Sequence, residues 1–209
     1  MALVVRLSVA CTAVAAVAWT ARHWRPLEPW SAPIIASALL ALPLALGQAS
    51  WRHRLPRFHP RRLLPGIADG AVAALLLIPP FFAALSWIGG LEPARVALAY
   101  LARALPQQLL LVALPEEFFF RGYVQRMLGA LPLPRLRILS ARCGPEILIA
   151  AAVFALTHMA AGLGWASLLT FFPGLVFGWL YARRQSLVGP AFFHTACNLS
   201  MLAWPGVLS

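Results

Sequence analysis

Glu116 and Glu117 stand side by side in residues 107–125, QQLLLVALPEEFFFRGYVQ, a stretch otherwise rich in Leu, Val and Phe. Carboxylates are costly in such surroundings, and an ionisable group held there is a functional candidate by default. On a helix at about 100° per residue, Glu117 and Arg121 are i and i+4, about 40° apart, with the acid N-terminal as the better ion-pair orientation requires. Glu117 therefore has a partner built in. Glu116 is turned about 100° away and shares a face with Phe120 and Tyr123, so no cation of its own segment neutralises it. His158 follows Phe154 by four in a second apolar run, and His194 precedes Asn198 by four in a third. His23, His53 and His59 fall in polar segments. A carboxylate beside an imidazole can hold and deprotonate water, while a second imidazole and a carboxamide can stabilise the oxyanion on an attacked carbonyl. Such a set hydrolyses an amide with no covalent nucleophile, and Thr157, Ser167, Thr195 and Cys197 sit in no nucleophile motif. Two His and a Glu can instead hold Zn²⁺ with an open position for water. With no His-Glu-x-x-His, no cofactor is predicted and zinc stays an open alternative.

Whatever positions these groups lies in a membrane. The chain has 209 residues, 61% hydrophobic, a mean hydropathy of +0.79 and only 17 basic and 6 acidic side chains. That is too little polar surface to clothe a soluble domain. At roughly 20 apolar residues per span, the sequence predicts an all-α polytopic bundle of about seven spans. They lie near 2–21, 31–50, 66–90, 97–125, 146–161, 167–182 and 190–207, in one integral membrane domain over 1–209. Pro79-Pro80 is expected to kink the third span or divide it into two half-helices, and Pro115 to kink the fourth or begin a helix. Cys11, Cys143 and Cys197, odd in number and without CxxC spacing, support neither a disulfide framework nor a thiolate zinc site.

All 17 basic residues are Arg, giving a net charge of +11. They fall between apolar segments, which marks topology rather than nucleic-acid binding. With a cytoplasmic N-terminus, the inside loops hold Arg52, Arg54, Arg57, Arg61, Arg62, Arg126, Arg135, Arg137, Arg142, Arg183 and Arg184. The outside loops keep only Arg22, Arg25 and Arg95. The positive-inside bias thus favours N-in, C-out. The tract 51–62 reads as a topology-fixing loop beside the bilayer headgroups, and Trp24, Trp30, Trp51, Trp87 and Trp204 fall at span ends, where an amphipathic ring suits the interface. The first span resembles a secretory signal peptide, but no neat cleavage site precedes Arg22-His23-Trp24-Arg25, so a retained signal anchor is expected.

Glu116-Glu117-Phe118-Phe119-Phe120-Arg121, Phe154-Ala155-Leu156-Thr157-His158 and His194-Thr195-Ala196-Cys197-Asn198 occur in this order on separate apolar segments. They resemble the Glu-Glu-x-x-x-Arg, Phe-x-x-x-His and His-x-x-x-Asn/Asp signatures of the CPBP family. These are the CAAX-processing and bacteriocin-processing intramembrane proteases, which include the Rce1-like endopeptidases. The ordered set covers a motif-bearing core of about 105–200. The resemblance implies an all-helical membrane fold with a catalytic cavity among the later helices. It implies Glu116 as the water-activating base, His158 as its partner, His194 and Asn198 as the oxyanion-side pair, and Glu117 with Arg121 as a supporting ion pair. It favours a glutamate-dependent over a zinc-dependent enzyme, acting on a membrane-anchored protein or peptide. The Arg-only, Ala- and Leu-rich composition points to the inner membrane of a bacterium of high genomic GC content. The phrase 115–123 is similar to short sorting proteases, of the myxosortase type, that remove C-terminal anchors from exported proteins. Two other classes stand beside this one. A non-catalytic membrane binding or bacteriocin immunity protein would use the polar cluster for assembly. A small proton-coupled transporter would use it as a relay, although the chain shows no paired half-helices or duplicated segments.

Overall fold

Six stretches of helix are long and apolar enough to cross a membrane in the computed structural model, which describes residues 2–46, 60–90 and 94–203. The helices are α1 (Ala2–His23), α2 (Ser31–Leu46), α3 (Leu63–Gly89), α4 (Leu98–Leu128), α5 (Pro145–His158), α6 (Phe171–Arg184) and α7 (Val188–Leu202). The protein is thus a polytopic helical bundle. The expected seventh span corresponds to α7, whose 15 residues rise only about 22 Å against a hydrocarbon core of about 30 Å. The tract 51–59, with Trp51, Arg52, His53, Arg54, Arg57 and His59, and also Trp204, lie outside the described residues.

The bundle is apolar outward and polar at its centre. Leu64, Leu75, Leu76, Leu98, Leu110, Leu148 and Phe172 are exposed, whereas Glu117 and Arg121 are fully buried. That inverts the soluble pattern, as expected where hydrocarbon is the solvent. Phe119, Phe120, Tyr123 and Val124 of α4 meet Phe154 of α5, Phe177 of α6 and Phe193 of α7 in the main core. Leu7, Ala10 and Val14 of α1 close one side of it.

Two proline sites settle the expectations about kinks. Pro79 and Pro80 lie inside α3, which continues through them to Gly89 as one helix rather than two half-helices. The two absent N–H groups remove only the bonds to carbonyls four residues back, and the chain on either side keeps its helical dihedrals. Within α4, a π-helical stretch, Gln108–Ala113, directly precedes the Leu114–Glu117 turn that contains Pro115. The wider turn accommodates the missing donor and the ring. A second π-helical stretch, Phe118–Gln125, follows. The two acids therefore sit on one short α-turn between two wide ones, inside a continuous helix.

Small residues set the helix spacing. A Cβ on Gly178 of α6 would come within 2.8 Å of Ile147 Cγ2 on α5 and 3.1 Å of Gln125 Oε1 on α4. Close approach through Gly is a usual way for membrane helices to pack. Gly178→Val is expected to push these helices apart and cost about 1–3 kcal/mol, read as a lower unfolding midpoint in micelles.

One end of the bundle gathers arginines. Arg62 donates to the carbonyls of Arg184 and Gln185, and Asp69 of α3 accepts from Arg184 Nε at 2.6 Å and faces Arg183 Nε at 3.1 Å. Asp69 is an acid inside a span that the motif reading passed over, and its two partners explain its placement. A hairpin of β1 (Leu136–Ile138) and β2 (Ala141–Cys143) lies at the same end. Trp179 Nε1 donates to Ile138 O at 3.1 Å, Arg183 to Leu139 O, and Arg135 pairs with Glu146 at 3.5 Å. At the other end Trp24, Trp30 and Trp87 are exposed.

Candidate active site

Three helices bring the motif residues together. Glu116 and Glu117 come from α4, His158 from the last turn of α5 and His194 from the second turn of α7. The Nε2 atoms of both imidazoles lie 3.7 Å from the same atom, Glu116 Oε2. The other nitrogen of each ring is occupied. His158 Nδ1 lies 2.9 Å from the carbonyl of Phe154, and His194 Nδ1 lies 2.9 Å from Glu117 Oε1. A carbonyl and a carboxylate only accept, so each Nδ1 carries a proton, and in the neutral tautomer each ring presents an Nε2 lone pair to Glu116.

Three acceptors thus converge on one point at distances too long for direct hydrogen bonds. Glu116 Oε2 is buried and has no hydrogen-bond partner. A water can bridge two of the three, donating one hydrogen to the carboxylate and one to an imidazole while turning a lone pair outward. Beside Glu116 and His158 lies a small cavity with about 20 Å³ open to the centres of water-sized spheres. A single water needs roughly 10–15 Å³ on that measure.

Glu117 has two partners where the sequence spacing predicted one. Its Oε2 is 3.1 Å from Arg121 Nε in an ion pair whose N–H is not aligned as a hydrogen bond, and its Oε1 holds His194. Arg121 is fully buried, donates to Gly174 O at 3.3 Å and lies 5.1 Å and 5.4 Å from the ring centroids of Phe154 and Phe177. Cation–π contacts in a desolvated site offset part of the cost of burying the guanidinium. Phe177 also stacks on His194 with centroids 4.7 Å apart. Glu117 thus holds the Nδ1–H of His194 with one oxygen and faces Arg121 with the other.

Asn198 is one turn beyond His194, and its amide donates to Gln108 Oε1 at 3.0 Å. That contact brings it to the first π-helical stretch of α4, and it does not line the water-sized cavity. Among the described residues no group of three or more His, Cys, Asp and Glu side chains is arranged to hold a metal ion.

Arg22 was expected in an outside loop. It instead belongs to α1 and lines the cavity together with Val14 and Ala18, each one turn apart. That i, i+4, i+8 spacing is legible in the sequence, and the missing signal was that an Arg near a span end can turn inward. Gly162 positions this helix end. It has φ +82°, which an L side chain rarely adopts, and a Cβ there would collide with the His23 ring. Gly162→Ala is expected to displace the end of α1 and lower stability by about 1 kcal/mol or more. The unfolding midpoint of the variant checks this.

The site lies away from the arginine-rich end. His158 is about 13 residues, roughly 20 Å of helical rise, beyond the start of α5, and about 5 residues from the end of that span at Leu163. His158 and His194, expected at different depths of their spans, nonetheless reach one carboxylate oxygen.

Comparison with curated proteins and with solved structures gives no match. A family profile, Type II CAAX prenyl endopeptidase Rce1-like, matches residues 70–200. This match begins within α3 and takes in every motif described above, and it covers more than half of the chain. The chain belongs to the Rce1-like family of CAAX endopeptidases, and so to the membrane proteases that act on proteins.

Proposed function

We propose that the protein is an intramembrane endopeptidase that hydrolyses a peptide bond in a membrane-anchored protein with a water activated by Glu116. The observation that carries this reading is the convergence of His158 Nε2 and His194 Nε2 on one orphaned carboxylate oxygen beside a water-sized cavity. Water held there attacks the scissile carbonyl carbon and passes a proton to Glu116, with His158 sharing the load. The proton then goes to the leaving amine as the C–N bond breaks, so acid and base are regenerated. His194, its Nδ1–H held by Glu117, turns Nε2 to the same centre and helps His158 hold the attacking water. Asn198, one turn beyond His194, supplies the carboxamide donor to the oxyanion when it turns from Gln108 to substrate. No metal is needed for any of these steps.

The arginine-rich end belongs at the cytoplasmic face under the positive-inside bias. With that orientation Glu116, about 12 residues before Leu128 at the end of its span, and His158, about 13 residues into α5, place the site near mid-depth, suited to a bond within or beside a substrate's hydrophobic segment. A C-terminal anchor on an exported protein offers such a segment, and a sorting protease of a bacterial inner membrane fits this reading. The test compares protein termini, by mass spectrometry of membrane and secreted fractions, between cells carrying the wild type and cells carrying Glu116→Gln at matched abundance. Termini present only with the wild type are expected, and they identify the substrate. Identical termini with properly inserted protein would overturn the reading in favour of a non-catalytic immunity or binding role.

A further inference from the structure

Among the described residues Arg22 is the one arginine lining the cavity beside Glu116, and the region matched by the family profile does not include it. Its Nη1 atom is buried and has no hydrogen-bond partner. A guanidinium N–H left without a partner in a protein interior costs more than a typical hydrogen bond contributes, so its acceptor must come from the cavity Arg22 lines, as water at rest or as a substrate oxygen. Its charge acts on both Glu116 and His158, so it faces the reacting groups rather than the headgroups alone. The amide of Asn198, the other donor expected on the oxyanion side, is meanwhile engaged by Gln108.

We infer that Arg22 is a further catalytic residue, whose Nη1 donates to the oxygen of the scissile carbonyl as that oxygen becomes an oxyanion. This rests on the peptidase reading above. In the step it serves, the water oxygen bonds to the carbonyl carbon, the water proton passes to Glu116, and the C=O π pair moves onto oxygen, where Arg22 compensates the charge. When the carbonyl re-forms, the C–N bond breaks and the amine nitrogen takes the proton from Glu116. The other anion a peptide offers, its terminal carboxylate, lies about 7–10 Å from the reacting carbonyl when it is two or three residues beyond the scissile bond in an extended peptide, away from Arg22, which lines the same cavity as Glu116.

The experiment uses full-length purified enzyme in micelles and a peptide spanning the cleavage site found from the termini comparison, with its C-terminus either free or amidated. Arg22→Gln is expected to lower kcat by about 10²–10³-fold, the cost of losing one oxyanion donor. KM should change less than about threefold, equally for both peptides. Should Arg22→Gln fail to fold, as judged by its unfolding midpoint, Arg22→Lys carries the test. A lysine keeps a titratable cation at that point, so kcat should acquire a fall with rising pH, below or near the ordinary lysine range of about 10.4, that the wild type lacks. Wild-type kcat in Arg22→Gln, or no new pH step in Arg22→Lys, overturns the inference. A KM effect that vanishes with the amidated peptide also overturns it, and assigns Arg22 to the terminal carboxylate. Glu116→Gln in the same assay separates the two readings. If it too cleaves normally, the peptidase mechanism fails. If it is dead while the Arg22 variants behave as wild type, only the role of Arg22 fails.

Discussion

Glu116→Gln is expected to reduce turnover by at least about 10³-fold while the protein still inserts and unfolds at nearly its normal midpoint. The substitution is isosteric and keeps a carbonyl oxygen where Oε1 or Oε2 stood, so the cavity and the packing around Phe120 persist. What it removes is the ability to take a proton from water, a contribution of about 10²–10⁴-fold for a general base. It also removes the negative charge that a protonated imidazole at His158 or His194 would lean on. Glu116→Asp sharpens the test, because it retains the base but withdraws it by one methylene from two nitrogens that are already 3.7 Å away. Partial activity is expected there, lost mainly in kcat. Normal turnover by the Gln variant in a single-turnover assay would remove Glu116 from the mechanism.

Arg121→Gln is expected to have the largest effect on stability, about 3–5 kcal/mol. Glu117 and Arg121 are both at 0% exposure, and breaking a buried pair from one side leaves an uncompensated charge. The neutral side chain also gives up the contacts with the Phe154 and Phe177 rings. Adding Glu117→Gln removes the stranded carboxylate, so the double variant should recover much of the midpoint lost in micelles. Activity should not recover, because His194 then donates Nδ1–H to a neutral amide oxygen or turns the amide N–H toward itself. Recovery of stability without recovery of turnover distinguishes a positioning role for Glu117 from a purely structural one. If both return together, Glu117 serves assembly alone.

Much of this protein was legible in the chain. Composition excluded a soluble domain, apolar runs located the helices, and their order follows the six candidate spans and α7. The Glu117–Arg121 pair is a local i, i+4 relation, and it survives even though the helix widens into π turns there, because four residues on still share a face. The three motifs likewise announced Glu116, His158 and His194 as groups too polar for their surroundings, and the solvent penalty that makes them conspicuous is the same one that drives them to a common interior.

What local spacing could not decide is which atom meets which. That His194 turns one nitrogen to Glu117 and the other to Glu116 depends on where α7 lies against α4. That Asn198 meets Gln108 depends on the same packing. Arg22 shows the limit most clearly. Its position near a span end is equally compatible with snorkelling to headgroups and with turning inward. Only the packing of α1 onto the 159–163 turn, with Gly162 against His23, directs it into the cavity. Hydrophobicity and periodicity act through neighbours in sequence and so are readable from it. The meeting of side chains 77 or 90 residues apart is set by close helix contacts through small residues, and that information exists only once the helices are packed.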